Sequence, residues 1–115
     1  MDNAVDSMIC YRDEIKRVLQ EHAAHKPAYG DIEVELILDD ARNHYELSYI
    51  GWDGYRRVHG SVIHVDIRDD KIWVQHDGTE EGFANRLLEA GIPAGRIVLA
   101  YQHPVRRRLT PFAVA

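Results

Sequence analysis

Alternating apolar and polar residues mark the middle of the chain. Between residues 61 and 68, three aliphatic side chains point one way and polar side chains the other: Ile63, Val65 and Ile67 against His64, Asp66 and Arg68. A period of two is typical of a strand with one buried face. Asp69 and Asp70 then favour a tight turn, and residues 71–76 resume the alternation. This stretch therefore predicts a β-hairpin.

A two-residue loop at Asp69 and Asp70 fixes the pairing of that hairpin. The predicted pairs are Ile67 with Ile72, Val65 with Val74, Ile63 with His76, Asp66 with Trp73, and His64 with Gln75. One face of the hairpin is then aliphatic, and the other is polar and aromatic.

Two further strands, predicted near residues 32–38 and 45–49, precede this hairpin. Asp53-Gly54 is the strongest turn signal, because glycine adopts positive φ without a steric clash. With those two residues as the loop, the predicted pairs are Tyr49 with Val58, Leu47 with Gly60, and Tyr45 with Val62. Val58 and Ile63 then have opposite phase, so we predict a bulge or bend near Gly60.

Helical periodicity appears at two places in the chain. Residues 5–25 carry an apolar stripe at three- and four-residue spacing: Met8, Tyr11, Ile15, Val18, Leu19 and His22. We expect Cys10 to be a small buried side chain on this helix. A second helix is predicted to begin with a capping box at Asp77 and Glu80 and to end at Gly91, with Ile92 folding back on Leu87.

The short apolar run at residues 97–100 predicts a last strand that is covered on both faces and returns by a crossover. The element order predicts a single α+β domain over residues 1–115. In this two-layer fold, a four-stranded antiparallel meander with a bent third strand carries two helices on one face and a short C-terminal strand.

Composition and charge narrow the classes of function. The net charge is −5 and the sequence pI is about 5.7, whereas a dedicated nucleic-acid-binding domain usually has a pI above about 9. No apolar run approaches the ~20 residues of a membrane span, and the first residues lack the pattern of a secretory signal. With a single cysteine, these features predict a cytoplasmic protein without disulfides.

The standard catalytic and nucleotide-binding motifs are absent. His64 and Asp66 could begin a metal site, but His76 falls on the opposite face in the predicted register. We therefore interpret His64 and Asp66 as a hydrogen-bonded pair on the polar face. We predict no catalytic residues, no metal and no cofactor.

The polar face and the C-terminal tail supply a candidate binding interface. Its proposed residues are Trp52, Arg57, His59, His64, Asp66, Trp73, Arg106, Arg107, Arg108 and Phe112. Tryptophan and arginine are enriched among side chains that anchor protein interfaces. Two alternatives stay open: Arg57 could pair with Glu46 across the hairpin, and Trp73 could lie under a helix or the tail.

Several segments together resemble one protein family. They are AYGDIE, GWDGYRRVHGSVIHVDIRDDKIWVQHDGTEEG, EAGIP, RIVLA and TPFAVA, and the resemblance as a whole covers about residues 11–115. They are similar to the XisI family, the fdxN element excision controlling factor proteins. The resemblance implies an accessory factor for a site-specific recombinase that excises a DNA element during heterocyst differentiation in cyanobacteria. It also implies a companion protein, XisH, and no established catalytic residues.

Three functions from different classes follow. The first is a non-enzymatic, protein-interaction subunit that controls the recombinase or the XisH-like partner. The second is an accessory protein that contacts DNA directly. The third is a small metal-dependent hydrolase built on His64 and Asp66. A homodimer is a further expectation for the interface.

Overall fold

A five-stranded mixed sheet forms the frame of the computed structural model, which describes residues 4–115 and the side chains of residues 10–115. The helices are α1 (Ala4–Ala23), α2 (Phe83–Glu89) and α3 (Pro104–Arg107), with a 3-10 turn at Ala94–Arg96. The strands are β1 (Asp31–Asp39), β2 (His44–Asp53), β3 (Arg56–Arg68), β4 (Lys71–Asp77) and β5 (Ile97–Leu99).

The strands follow one another in the sheet in the order β1-β2-β3-β4-β5. The first four form the predicted antiparallel meander, and β5 returns to pair in parallel with β4. A parallel neighbour requires a crossover, and the segment containing α2 supplies it. The predicted α+β fold is confirmed.

The core lies between the aliphatic face of the sheet and helices α1 and α2. Its buried members include Ile15, Val18 and Leu19 from α1, Tyr45, Leu47, Ile63, Val65, Ile67, Ile72 and Val74 from the sheet, and Phe83 and Leu87 from α2. All three residues of β5 are buried, as predicted for a strand covered on both faces. No described helix is long and apolar enough to cross a membrane.

A β-bulge lies in β3 where the apolar phase changes. Leu47 pairs with Ile63, while the next residue of β2, Ser48, pairs with Ser61. Val62 is thus the extra residue. It shifts the alternation of buried and exposed side chains along β3 by one position, which is the shift that the change of apolar phase requires. The predicted irregularity near Gly60 is confirmed.

The predicted pairing of β2 with β3 is wrong. The loop consists of Gly54 and Tyr55, because Gly54 adopts a φ of 62° and takes the first central position of the turn. The observed partners are Tyr49 with Gly60, Leu47 with Ile63, and Tyr45 with Val65, in place of Val58, Gly60 and Val62 respectively.

The hairpin of β3 and β4 matches the prediction near its turn and departs from it further along. Asp69 and Asp70 form the loop with positive φ, and three predicted pairs are present: Ile67 with Ile72, Asp66 with Trp73, and Val65 with Val74. Beyond Val74, Gln75 is an extra residue, so His64 pairs with His76 and Ile63 pairs with Asp77. The predicted pairs His64 with Gln75 and Ile63 with His76 are therefore wrong.

Two predictions about the helices also need correction. Cys10 is exposed, because it lies one residue, or about 100° of helical rotation, from the buried stripe that contains Tyr11 and Ile15. The side chain of Met8, also assigned to that stripe, lies outside the described residues.

Helix α2 begins at Phe83, several residues after the predicted capping box, although the Asp77 carboxylate does accept the Phe83 N–H at 2.6 Å. Its predicted end is confirmed. Gly91 has a φ of 95°, and the Ile92 N–H donates to the Leu87 carbonyl at 3.1 Å.

Tyr45 makes the polar contact whose stability effect is most readily tested. Its ring is fully buried, while its hydroxyl donates to Asp40 Oδ1 at 2.6 Å and Lys16 pairs with Asp40 Oδ2 at 2.9 Å. The hydrogen bond from Tyr45, together with Lys16, lowers the pKa of Asp40. Burial, together with the bond to Asp40, raises the pKa of Tyr45.

Replacing Tyr45→Phe should lower the free energy of unfolding by about 1 kcal/mol at neutral pH. Because the pKa of Asp40 is lowered in the folded state, its contribution is present above its ordinary value of 3.8 and is lost as pH falls through the folded value. Urea denaturation of both proteins at pH 7 and pH 3 should show the difference shrinking at acid pH. An equal difference at both values would contradict this account.

Candidate functional site

A cluster of two histidines and an aspartate occupies the open face of the sheet, opposite helices α1 and α2. His44, on β2, pairs directly with Asp66 of β3, and His64 precedes Asp66 by two residues on the same face. Asp66 Oδ1 lies 3.0 Å from His44 Nδ1 and 3.2 Å from His64 Nε2. One ligand atom from each of the three residues falls within 4.8 Å of the others. We call these three residues the His–Asp cluster.

Asp66 is the centre of this cluster. It is only 8% exposed, the one polar or charged residue among the buried side chains described. Its second oxygen, Oδ2, accepts hydrogen bonds from Arg68 Nη2 and Gln75 Nε2, both at 3.3 Å. Four polar groups therefore hold the carboxylate in one orientation, so the energetic cost of its burial is offset.

Sequence reasoning found His64 and Asp66 but missed His44 and Gln75. The predicted register of β2 placed His44 away from Asp66, whereas the Gly54-Tyr55 loop and the bulge at Val62 bring them opposite each other. The predicted placement of His76 on the face opposite His64 is wrong, because His76 pairs directly with His64 across the ladder; it is nevertheless exposed and lies outside the His–Asp cluster. One sequence signal could have identified His44: polar His44 and Glu46 alternate with apolar Tyr45 and Leu47 along β2.

Trp52, Arg57 and His59 lie at the far end of the same face, near the β2–β3 turn. The Arg57 guanidinium carbon is 5.2 Å from the centre of the Trp52 ring, and Arg57 also donates to the Gly51 carbonyl at 3.3 Å. Trp52 remains 49% exposed. The alternative that Arg57 pairs with Glu46 is wrong. Glu46 lies opposite His64 in the ladder, and its Oε1 is 3.4 Å from His44 Nε2.

Trp73 is covered by the C-terminal tail. The carbon of the Arg107 guanidinium lies 5.5 Å from the Trp73 ring centre, and the Trp73 indole N–H donates to the Arg68 carbonyl at 3.2 Å. Arg107 itself donates to four backbone carbonyls at 3.0–3.3 Å: those of Leu99, Ala100, Gln102 and Val114. Arg107 thus has a structural role within the fold.

The remaining tail residues divide between the interior and the surface. Phe112 packs partly buried against the core, and the next residue, Ala113, donates its N–H to the Ile97 carbonyl at 2.8 Å. Arg106 and Arg108 are exposed. The predicted interface residues lie in three places: at the His–Asp cluster, at the β2–β3 turn, and in the tail with Trp73 beneath it.

The structural role of Arg107 predicts a loss of stability on substitution. Arg107→Met keeps the length of the side chain but removes its hydrogen bonds, so the free energy of unfolding should fall by about 2 kcal/mol. The matched control is Arg106→Met, where the side chain is exposed and the change should stay within about 0.5 kcal/mol. Urea denaturation measures both. Similar values for the two variants would contradict the role assigned to Arg107.

Comparison with known proteins adds independent information. The family model described as XisI protein matches residues 5–114. The fold is similar to the crystal structure of a XisI-like protein from Anabaena variabilis, at 40% identity and a TM-score of 0.86 over 93% of this chain and 98% of that one. It is also similar to the fdxN element excision controlling factor XisI from Anabaena variabilis, at 32% identity and a TM-score of 0.82 over 96% and 100% of the two chains. No curated protein sequence matches this chain.

Proposed function

This chain belongs to the XisI family, and from that membership we propose that it is an accessory factor in the excision of a DNA element of the fdxN type by a site-specific recombinase. Family membership supports a role in controlling excision. We further propose that the protein acts in the cytoplasm, without catalysis of its own, by binding an XisH-like partner and thereby influencing the recombinase.

An unpaired strand edge is the observation that carries the binding mechanism. Among the described residues, β4 pairs with β3 only from Ile63 onward. The last hydrogen bond between the two segments runs from the Gly78 N–H to the Val62 carbonyl, at 2.7 Å. Residues 56–61 therefore have β2 on one side and no strand on the other. We call residues 56–61 the open edge. Free backbone groups on such an edge accept an added strand from another protein.

The geometry of the turn indicates which backbone groups the open edge presents. Asp53 and Arg56 flank the two-residue loop, so they form a hydrogen-bonded pair, and such pairs alternate along an antiparallel ladder. By this alternation the N–H and C=O groups of Arg57 and His59 point away from β2. They can hydrogen-bond to an incoming strand.

Charge favours an acidic segment of the partner as the occupant of the open edge. Arg57 and His59 are exposed along it, as is Arg56, which also pairs with Asp53 Oδ2 at 3.3 Å. Pairing two copies of this edge about a two-fold axis would bring these basic side chains together, which disfavours a homodimer at this site. The half-exposed Trp52 beside Arg57 offers an aromatic anchor for the same partner.

Direct DNA binding, the main alternative, finds less support in the distribution of charge. Several basic side chains are already paired with carboxylates: Lys16 with Asp40, Arg17 with Glu14 and Glu21, Arg42 with Asp39, Arg68 with Asp66, and Arg86 with Glu21 and Glu81. Phosphate binding requires concentrated positive charge. A gel shift that weakens steeply with salt would favour this alternative over the proposed function.

The open-edge mechanism predicts different effects from two substitutions at His59. His59→Pro removes the outward N–H and should weaken binding to a purified XisH-like protein at least tenfold, because an added strand loses a backbone hydrogen bond and meets the proline ring. His59→Ala keeps the N–H and should bind within about threefold of the unaltered protein. Isothermal titration calorimetry measures both affinities.

Circular dichroism should show both His59 variants folded, because proline is tolerated where its nitrogen faces away from the ladder. Equal affinities for the proline and alanine variants would contradict the open-edge mechanism. Failure of the unaltered protein to bind the XisH-like protein at all would contradict the proposed partner.

A further inference from the structure

We propose that the His–Asp cluster binds one divalent transition-metal ion, for which zinc is the best match. Two imidazole nitrogens and one carboxylate oxygen converge from His44, His64 and Asp66. Imidazole suits zinc and neighbouring first-row metals, and three protein ligands with one free position are typical of an open zinc site. The earlier expectation of no metal rested on two ligands, and His44 is the third.

The distances fit such an ion. Zinc forms bonds of about 2.0–2.2 Å to nitrogen and oxygen, so a tetrahedral site sets its ligand atoms about 3.3 Å apart. Asp66 Oδ1 already lies 3.0 Å from His44 Nδ1 and 3.2 Å from His64 Nε2. All three ligand atoms lie within 4.8 Å of one another, so a rotation of the imidazoles that brings their two nitrogens to about 3.3 Å would admit the ion.

The hydrogen bonds of His44 supply a second, independent argument. Its Nδ1 faces the Asp66 carboxylate at 3.0 Å, and its Nε2 faces the Glu46 carboxylate at 3.4 Å. A neutral imidazole has a single N–H and satisfies only one of these acceptors, whereas a protonated imidazole, or one bound to a metal through Nδ1, satisfies both. A metal ion on Nδ1, with the N–H on Nε2 directed to Glu46, satisfies both. Metal-binding histidines commonly donate their other N–H to a carboxylate in this way.

The surroundings hold the ligands while leaving a path for the ion. Arg68 and Gln75 fix Asp66 through its other oxygen, so Oδ1 can bind the metal in place of its hydrogen bonds to the two imidazoles. The side chains of His44 and His64 are 32% and 30% exposed, whereas that of Asp66 is 11% exposed. The fourth position therefore faces solvent, where water or a small anionic ligand can complete the coordination.

Titration with cobalt and zinc tests the site on isolated, tag-free protein after chelator treatment. Co²⁺ should bind at one equivalent per chain with the visible absorption of a tetrahedral site containing nitrogen ligands, and Zn²⁺ should displace it. His44→Ala and Asp66→Asn should each abolish stoichiometric binding. Glu46→Gln removes only the outer carboxylate and should weaken zinc binding by about 10- to 100-fold.

His76→Ala is the matched control, because His76 pairs with His64 across the ladder yet lies outside the cluster. It should bind metal like the unaltered protein. The proposal is overturned if the unaltered protein binds neither Co²⁺ nor Zn²⁺ at one equivalent, or if folded Asp66→Asn binds as tightly as His76→Ala. None of these measurements involves an XisH-like protein, so they test the metal site independently of the proposed function.

Discussion

The register between β2 and β3 is the constraint on which the rest of the structure depends, and the Gly54-Tyr55 loop sets it together with one extra residue, Val62. Without that extra residue, either the apolar set before Gly60 or the set after it would face solvent, because a shift of one residue reverses every side chain. The bulge keeps Ile63, Val65 and Ile67 in the core. It also brings His44 opposite Asp66. Core packing and the assembly of the polar cluster thus follow from one local irregularity.

Burial of Asp66 explains why the open face is ordered around this residue. A carboxylate that is only 8% exposed requires hydrogen-bond partners. These partners come from three strands: His44 from β2, His64 and Arg68 from β3, and Gln75 from β4. Gln75 is itself the extra residue of the second bulge. The second bulge therefore contacts the carboxylate directly, while the first sets the register that brings His44 opposite it.

Local sequence patterns predicted most of the elements, whereas contacts between elements were harder to predict. Alternation in β3 and β4 and the glycine end of α2 are determined by neighbouring residues, and both appear in the structure. A glycine can occupy either the first or the second position of a two-residue loop, so the sequence alone does not decide between the loops Asp53-Gly54 and Gly54-Tyr55. Moving the loop from Asp53-Gly54 to Gly54-Tyr55 changed every partner of β2. The role of Arg107 was equally hidden, because its four acceptors are backbone carbonyls, which leave no sequence signal.

The tail has a consequence for the exposed edges of the sheet. Residues 107–114 complete the outer side of β5 through the bridge between Val98 and Ala113 and the contacts of Arg107. If this segment detaches by local unfolding, the outer edge of β5 loses its cover, and an uncovered strand edge can pair with other chains. The attachment of the tail therefore limits unwanted association of the domain.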